Sequence, residues 1–253
     1  MSDYSIEEKF PHTIFFTIKR KQVHNAINYQ VMQGFEEVIE RIEQDHRIAL
    51  LVITGEGDRA FCSGGDLQAF HSLHTAEESY QMLERMAHVL FKLATLPVPV
   101  VCLLNGTAVG GGMEIATACD IRYAKKTAKF GFIQANLAIT TGWGGGTLFL
   151  EKFQPNFALE WLLKADKRDA SELYEAGFLT GLFEGDPFEL FAREFQSVLS
   201  HEPDVMRAYK NIYLQKLDKS SLLDRMLKEA ENCSVLWQKD AHHLAVSKFL
   251  NKT

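Results

Sequence analysis

VPVVCLLNGTAVGGGMEIATACD, residues Val98–Asp120, changes periodicity at its midpoint. The first half is an apolar run rich in β-branched residues. The second alternates small and apolar residues at helical spacing, with Gly106 and Gly110, Gly111 and Gly112 between the two. This predicts a strand, a tight glycine turn and a buried helix. N–H groups at a helix start have no intrahelical acceptor, and the helix dipole adds partial positive charge there, so the turn is a natural seat for a developing oxyanion. Glu114 follows within the first helical turn, close enough to act on what sits there. The blander reading stays open: glycines that only permit close helix–strand packing, and a glutamate that only complements the dipole. The spacing matches neither a G-x-G-x-x-G fingerprint nor a P-loop, which argues against a nucleotide-phosphate cradle.

Working outward, Thr13–Lys19 (TIFFTIK) reads as a strand, Tyr29–Gln44 as a helix, and Ile48–Thr54 (IALLVIT) as a buried strand closed by a glycine turn. Ala60–Leu67 (AFCSGGDL) is another short strand running into Gly64-Gly65, with Asp66 as a helix cap. Thr75–Leu96 is a long amphipathic helix with a capping box at Thr75 and Glu78, ended by Pro97 and Pro99. Beyond the central stretch, Ile121–Ala124 and Lys129–Phe132 look like strands, and Gly142-Trp143-Gly144-Gly145-Gly146 opens a helix through Phe153. From Pro155 the chain turns helical, at Asn156–Lys164, Ser171–Ala176, Pro187–Ser200, Pro203–Leu217 and Ser220–Phe249. A composition shift near Leu190 divides a core, 1–190, from a helical region, 191–253, of a kind that packs on another subunit.

The 253 residues can bury a sizeable core, and 46% hydrophobic with 24% charged residues is ordinary for a globular protein. A net charge of −6 with no basic block speaks against nucleic acid and anionic membranes as partners. The start, MSDYSIEEKF, is neither a signal nor a transit peptide, and no apolar stretch has transmembrane length. Cys62, Cys102, Cys119 and Cys233 show no C-x-x-C spacing, as suits a reducing cytosol. The nine histidines form no metal-ligand pattern and no G-x-S-x-G elbow is present, so no metal is expected.

The strongest pairing joins two glycine turns that each follow a strand, Ser63-Gly64-Gly65-Asp66 and Gly110-Gly111-Gly112-Met113-Glu114. One N–H from each makes a two-donor oxyanion hole, and such preorganised donors are typically worth about 3–4 kcal/mol apiece in the transition state.

These turns, with His24-Asn25-Ala26-Ile27-Asn28, Ala60–Leu67, Asn105–Glu114, Ala118-Cys119-Asp120-Ile121-Arg122 and Phe130–Gly146, resemble the crotonase superfamily, the enoyl-CoA hydratase/isomerase family. The segments stand in the family's order and spacing over most of the first 150 residues. The resemblance implies an α/β fold, a spiral of repeated ββα units with a C-terminal helical region, assembled as trimers or dimers of trimers. It implies an acyl-CoA substrate and no cofactor beyond the CoA moiety itself. The thioester oxygen would sit on the N–H groups of Gly65 and Gly111, with CoA against His24, Ala26, Ser63, Asp66 and Leu67, and more weakly Phe249 and Lys252.

Family hydratases carry two glutamates. Glu114 supplies the first, but Gln134 stands where a Phe-Gly-x-x-Glu segment places the second. An amide positions by hydrogen bonds yet cannot trade a proton at neutral pH. The expected catalytic pair is therefore Glu114 as acid/base and Gln134 as a polar positioning group. Thr140–Gly146 also resembles the segment of ethylmalonyl- and methylmalonyl-CoA decarboxylases in which Trp-Gly-Gly is typical, which makes Trp143 either a substrate contact or an aromatic packed under a helix entry. Decarboxylation of a malonyl-type thioester, and non-catalytic CoA binding, stand as the alternatives to hydratase/isomerase-like chemistry.

Overall fold

A parallel strand covered on both faces has to be apolar throughout, which is why several runs above lack polar alternation. The computed structural model, which describes residues 2–250, explains where the two covers come from. Strands β1 (Tyr4–Phe10) and β2 (Thr13–Ile18) form an antiparallel hairpin, helix α1 (Tyr29–Gln44) crosses over, and β3 (Leu50–Gly55) pairs parallel with β2. From β3 a pattern repeats: a strand in a large sheet, a short strand in a small sheet, then helix. β3 leads to β4 (Ala60–Cys62) and helices α2 (Leu67–Phe70) and α3 (Ala76–Thr95). β5 (Val100–Leu104) leads to β6 (Thr107–Val109) and α4 (Gly111–Ala118). β7 (Ile121–Lys125) leads to β8 (Lys129–Gly131) and α5 (Gly145–Lys152). This is the expected spiral of ββα units. The chain finishes with α6 (Pro155–Lys164), β9 (Arg168–Asp169), α7 (Ala170–Glu175), β10 (Gly181–Phe183), α8 (Pro187–Glu194), α9 (Pro203–Leu214), α10 (Lys219–Trp237) and α11 (Asp240–Leu250).

The large sheet runs β1-β2-β3-β5-β7-β10 and the small one β4-β6-β8-β9. Alternate side chains of the large sheet, Ile14, Phe16, Leu51, Ile53, Val100 and Cys102, join the main core with α1, α3 and α4. Their neighbours Phe15, Leu50, Val52, Val101 and Leu103 point the other way, and Leu190, Phe191 and Phe195 from α8 and its end cover them. Position 190, where composition shifts, thus lies inside a helix packed on the sheet. All four cysteines are buried free thiols.

Three departures from the sequence reading have local causes. β1 has an exposed, charged outer side that hides its strand character, but it extends the sheet through β2. The single helix expected over 220–249 breaks between Trp237 and Asp240: the Trp237 indole N–H is held by Leu73 O at 2.9 Å while Asp240 opens a new first turn. Helix α8 ends at Glu194, before a 3-10 turn at Val198–Ser200, and α9 ends at Leu214.

Two asparagines from the family-like segments hold the turn that feeds the site. Asn105 accepts from Gly55 N at 3.0 Å and donates to Gly57 O at 2.8 Å. Asn25, in the left-handed region at φ 57°, which asparagine tolerates better than most residues, accepts from Arg20 N and donates to Glu56 O and Ala60 O. Asn105→Ala leaves the buried Gly55 N–H unpaired, and urea unfolding is expected to show a loss of about 1–3 kcal/mol.

Candidate functional site

Because each helix follows a strand of the small sheet, the N-termini of α2, α4 and α5 gather at one end of the spiral. They border a cleft of about 1140 Å³ that α10 and α11 close from the other side.

The first turn leaves β4 at Cys62. Gly64 takes φ 97°, outside what a side chain allows at no cost, and its carbonyl accepts from Ile27 N at 2.8 Å. Asp66 N then donates to Ile27 O at 2.9 Å, so this bridge uses the groups on either side of the Gly65 N–H and leaves that N–H out. The second turn leaves β6 at Val109, with Gly110 at φ 55° as the cap of α4. The turns touch: a Cβ on Gly64 would stand 3.1 Å from the Gly111 nitrogen. Neither the Gly65 nor the Gly111 N–H has a hydrogen-bond partner among the described residues. Two adjacent donors thus border the cleft, one of them at a helix N-terminus where the dipole favours negative charge.

Glu114 lies one turn into α4 and is 3% exposed. Its Oε2 accepts from Trp143 N and Gly145 N, both at 2.9 Å, and its Oε1 accepts from Gln134 Nε2 at 2.9 Å. Burial, and after it the negative charge of Glu229, push this carboxyl up to about 8, against the opposing pull of the three N–H donors. Oε2 has both lone pairs engaged, so Oε1 is the oxygen with room for a proton. At neutral pH the group is a carboxylic acid that can give that proton up.

Gln134 begins a 3-10 turn, Gln134–Leu137, after β8. Its Nε2 donates to Glu114, while its Oε1 is buried with no hydrogen-bond partner among the described residues. Trp143 packs against both glycine turns. It lines the cleft at 4% exposure, and its ring lies so close that a Cβ on Gly111 would come within 2.1 Å of it and one on Gly65 within 3.5 Å.

His24, Ala26, Ser63, Asp66, Leu67 and Phe249 also border the cleft, whereas Lys252 lies outside the described residues. The Asp66 side chain is committed locally: Oδ1 caps α2 through Gln68 N and Ala69 N, and Oδ2 pairs with Arg20 at 2.9 Å. Sequence reasoning missed Lys167 and Lys248, exposed cations bordering the cleft, and Glu229 of α10. A signal for Glu229 exists: it interrupts the buried stripe Leu222, Met226, Ala230, Cys233 and Trp237 with a carboxylate.

The model of the family described as enoyl-CoA hydratase/isomerase matches residues 12–253. The chain belongs to the enoyl-CoA hydratase/isomerase family. Among relatives in this family, the crotonyl-CoA hydratase of Syntrophomonas wolfei is 30% identical over 228 residues, 90% of this chain and 80% of the relative. The short-chain-enoyl-CoA hydratase of Clostridium acetobutylicum is 30% identical over 207 residues, 81% and 78% of the two chains. In fold, the chain matches the crystal structure of an enoyl-CoA hydratase from Bacillus halodurans at TM-score 0.88 and 19% identity, over 98% of this chain and 100% of that one. This membership makes the chain an acyl-CoA-processing enzyme of the crotonase superfamily. No helix among the described residues is long and apolar enough to cross a membrane.

The raised Glu114 acid has a stability consequence. Between its ordinary value of 4.5 and about 8, the folded chain holds a proton that the unfolded chain has released, so stability falls as pH rises across that window and levels off above it. Glu114→Gln lacks this contribution. Its Tm relative to wild type is expected to rise between about pH 5 and about pH 8.5 in paired melts, and a pH-independent difference would exclude the neutral acid.

Proposed function

We propose that the chain binds an acyl-CoA thioester with its carbonyl oxygen on the N–H groups of Gly65 and Gly111, stabilises the enolate there, and moves a proton at C2 with Glu114. The observation that carries this reading is the pair of unpaired, adjacent N–H groups bordering one cleft with a buried carboxylic acid. As the carbonyl becomes an enolate, negative charge develops on the oxygen, where fixed donors stabilise it without reorganisation. In the protonation direction, the Glu114 Oε1–H bond breaks, a C2–H bond forms, and the enolate C=C electron pair becomes that bond. The carboxylate left behind keeps its three N–H donors. The reverse step takes the C2 proton back onto Oε1.

Gln134 holds Glu114 and exchanges no proton, so one acid serves both directions in hydratase/isomerase-like chemistry. His24, Ala26, Ser63 and Leu67 border the CoA side of the cleft, and Lys167 and Lys248 are cations within reach of its phosphates. Trp143 lies against both glycines and lines the cleft beside the donors. The exposed apolar side chains of α9, Tyr209 and Ile212, suit the packing of a homotrimer or a dimer of trimers.

Crotonyl-CoA, a 3-enoyl-CoA and methyl- or ethylmalonyl-CoA, each incubated with the protein and followed by mass spectrometry, test the reaction. Gain of water or a double-bond shift is expected. Loss of carbon dioxide from the malonyl substrates alone would make the chain a decarboxylase instead. Glu114→Gln should lower kcat by about 10²–10⁴-fold with little change in KM. Unchanged turnover in that variant would remove the acid/base assignment, and CoA binding without turnover in both forms would mark a binding protein.

A further inference from the structure

The N-terminus of α5 serves two carboxylates. Glu114 accepts from Gly145 N, the first residue of the helix, and from Trp143 N just before it. Glu229, reaching across from α10, accepts from Gly146 N at 3.1 Å and Thr147 N at 2.6 Å, the next two positions. Four donors of one helix entry, the N–H groups of Trp143, Gly145, Gly146 and Thr147, are thus divided between two acids. One N-terminus carries only about half a positive charge, which is not enough to hold two anions without cost.

The other groups near this corner do not relieve the repulsion. Cys233, also on α10, faces Glu114, and its thiol is held well above its ordinary range, so it stays neutral. On α10 itself, Arg225 pairs with Glu151 and Lys228 with Glu231, which leaves Glu229 without an ion pair among the described residues. From α5 the groups at Glu229 are backbone N–H groups, its Glu151 being paired with Arg225; the Gln134 turn brings only an amide; and α3, packed along α10, brings Tyr80 and Glu84, which hydrogen-bond each other. Glu229 is half-buried while Glu114 is fully buried, so when one of the two gives up its charge it is Glu114.

We propose that Glu229 is a positioning residue for catalysis: by occupying the second half of the α5 N-terminus as an anion, it keeps the catalytic proton on Glu114. The inference deepens the acid role assigned to Glu114 under the proposed function and rests on it for its catalytic meaning, but the electrostatic coupling can be read without any substrate. Glu229 touches no reacting atom. It acts through the helix end that the two acids share.

The test is infrared titration of the ligand-free protein, following the protonated carboxyl band that Glu114→Gln deletes. In Glu229→Gln, which keeps an oxygen acceptor for the helix end but no charge, the midpoint is expected to move to lower pH by about one unit, tenfold in the protonation equilibrium. Glu229→Asp retains the charge and should titrate close to wild type, and Cys233→Ser should leave the band unmoved. A Glu229→Gln midpoint equal to wild type, or a Glu229→Asp midpoint as low as that of Glu229→Gln, overturns the proposal. Because a purely structural cap would lower Tm without moving the titration, the two roles separate. Turnover on the acyl-CoA that proves active should lose its high-pH limb earlier in Glu229→Gln. A shifted band with an unshifted rate profile would overturn the acid role of Glu114 while leaving the coupling between the two carboxylates in place.

Discussion

Helix α4 is buried along its whole length, and a helix without water leaves its terminal N–H and C=O groups to be satisfied by other parts of the chain. At its C-terminal end two basic side chains do this, one of them Lys152, which burial pushes down to about 7. Lys152 donates to Thr117 O, Ala118 O and Cys119 O, and the buried Arg122 donates to Ala116 O and Cys119 O. Lys210 of α9 pairs with Asp120 just beyond, whose Oδ2 also accepts from Val100 N. The negative end of the dipole is therefore fully answered. At the N-terminal end, Gly110 O takes the Met113 and Glu114 N–H groups, and the Gly111 N–H has no partner among the described residues. The asymmetry follows from a single constraint: a short helix locked in the core by its carbonyl end holds its other end fixed at the cleft.

The same logic explains why Glu114 can be an acid. A carboxyl in so dry a place is costly to ionise, yet three N–H donors from two separate turns favour the anion. The balance leaves a group that is neutral at physiological pH but still able to carry charge when chemistry demands it. Gln134 belongs to this balance through its Nε2 donor. With a glutamate at that position, two carboxyl groups would meet at Oε1, whereas the amide offers a donor.

Much of this was legible in the residues. The strand-to-helix change in Val98–Asp120, the paired glycine turns and the departure at Gln134 all depend on local sequence. Local patterns survive because periodicity and turn chemistry act over a few residues. The Thr75 capping box and the Asp66 cap formed as read, for the same reason. What escaped was non-local. β1 hides behind surface charges, the break at Trp237 is set by Leu73 O on another segment, and Glu229 meets Gly146 from 83 residues away.

Sequence alone determined strands alternating with helices, two glycine-rich helix entries, one acid beside them and an amide where a second acid could stand; the spiral arrangement was implied by the resemblance to the crotonase superfamily. Those are properties of side chains and of backbone freedom, carried by each residue wherever it lies. Only the tertiary structure decided which N–H groups remain unpaired, that Trp143 packs against both glycines, and that burial raises the Glu114 carboxyl to about 8. Those are properties of what surrounds a group, because the protonation state of a carboxyl and the availability of an N–H are fixed by desolvation and by partners brought together through space.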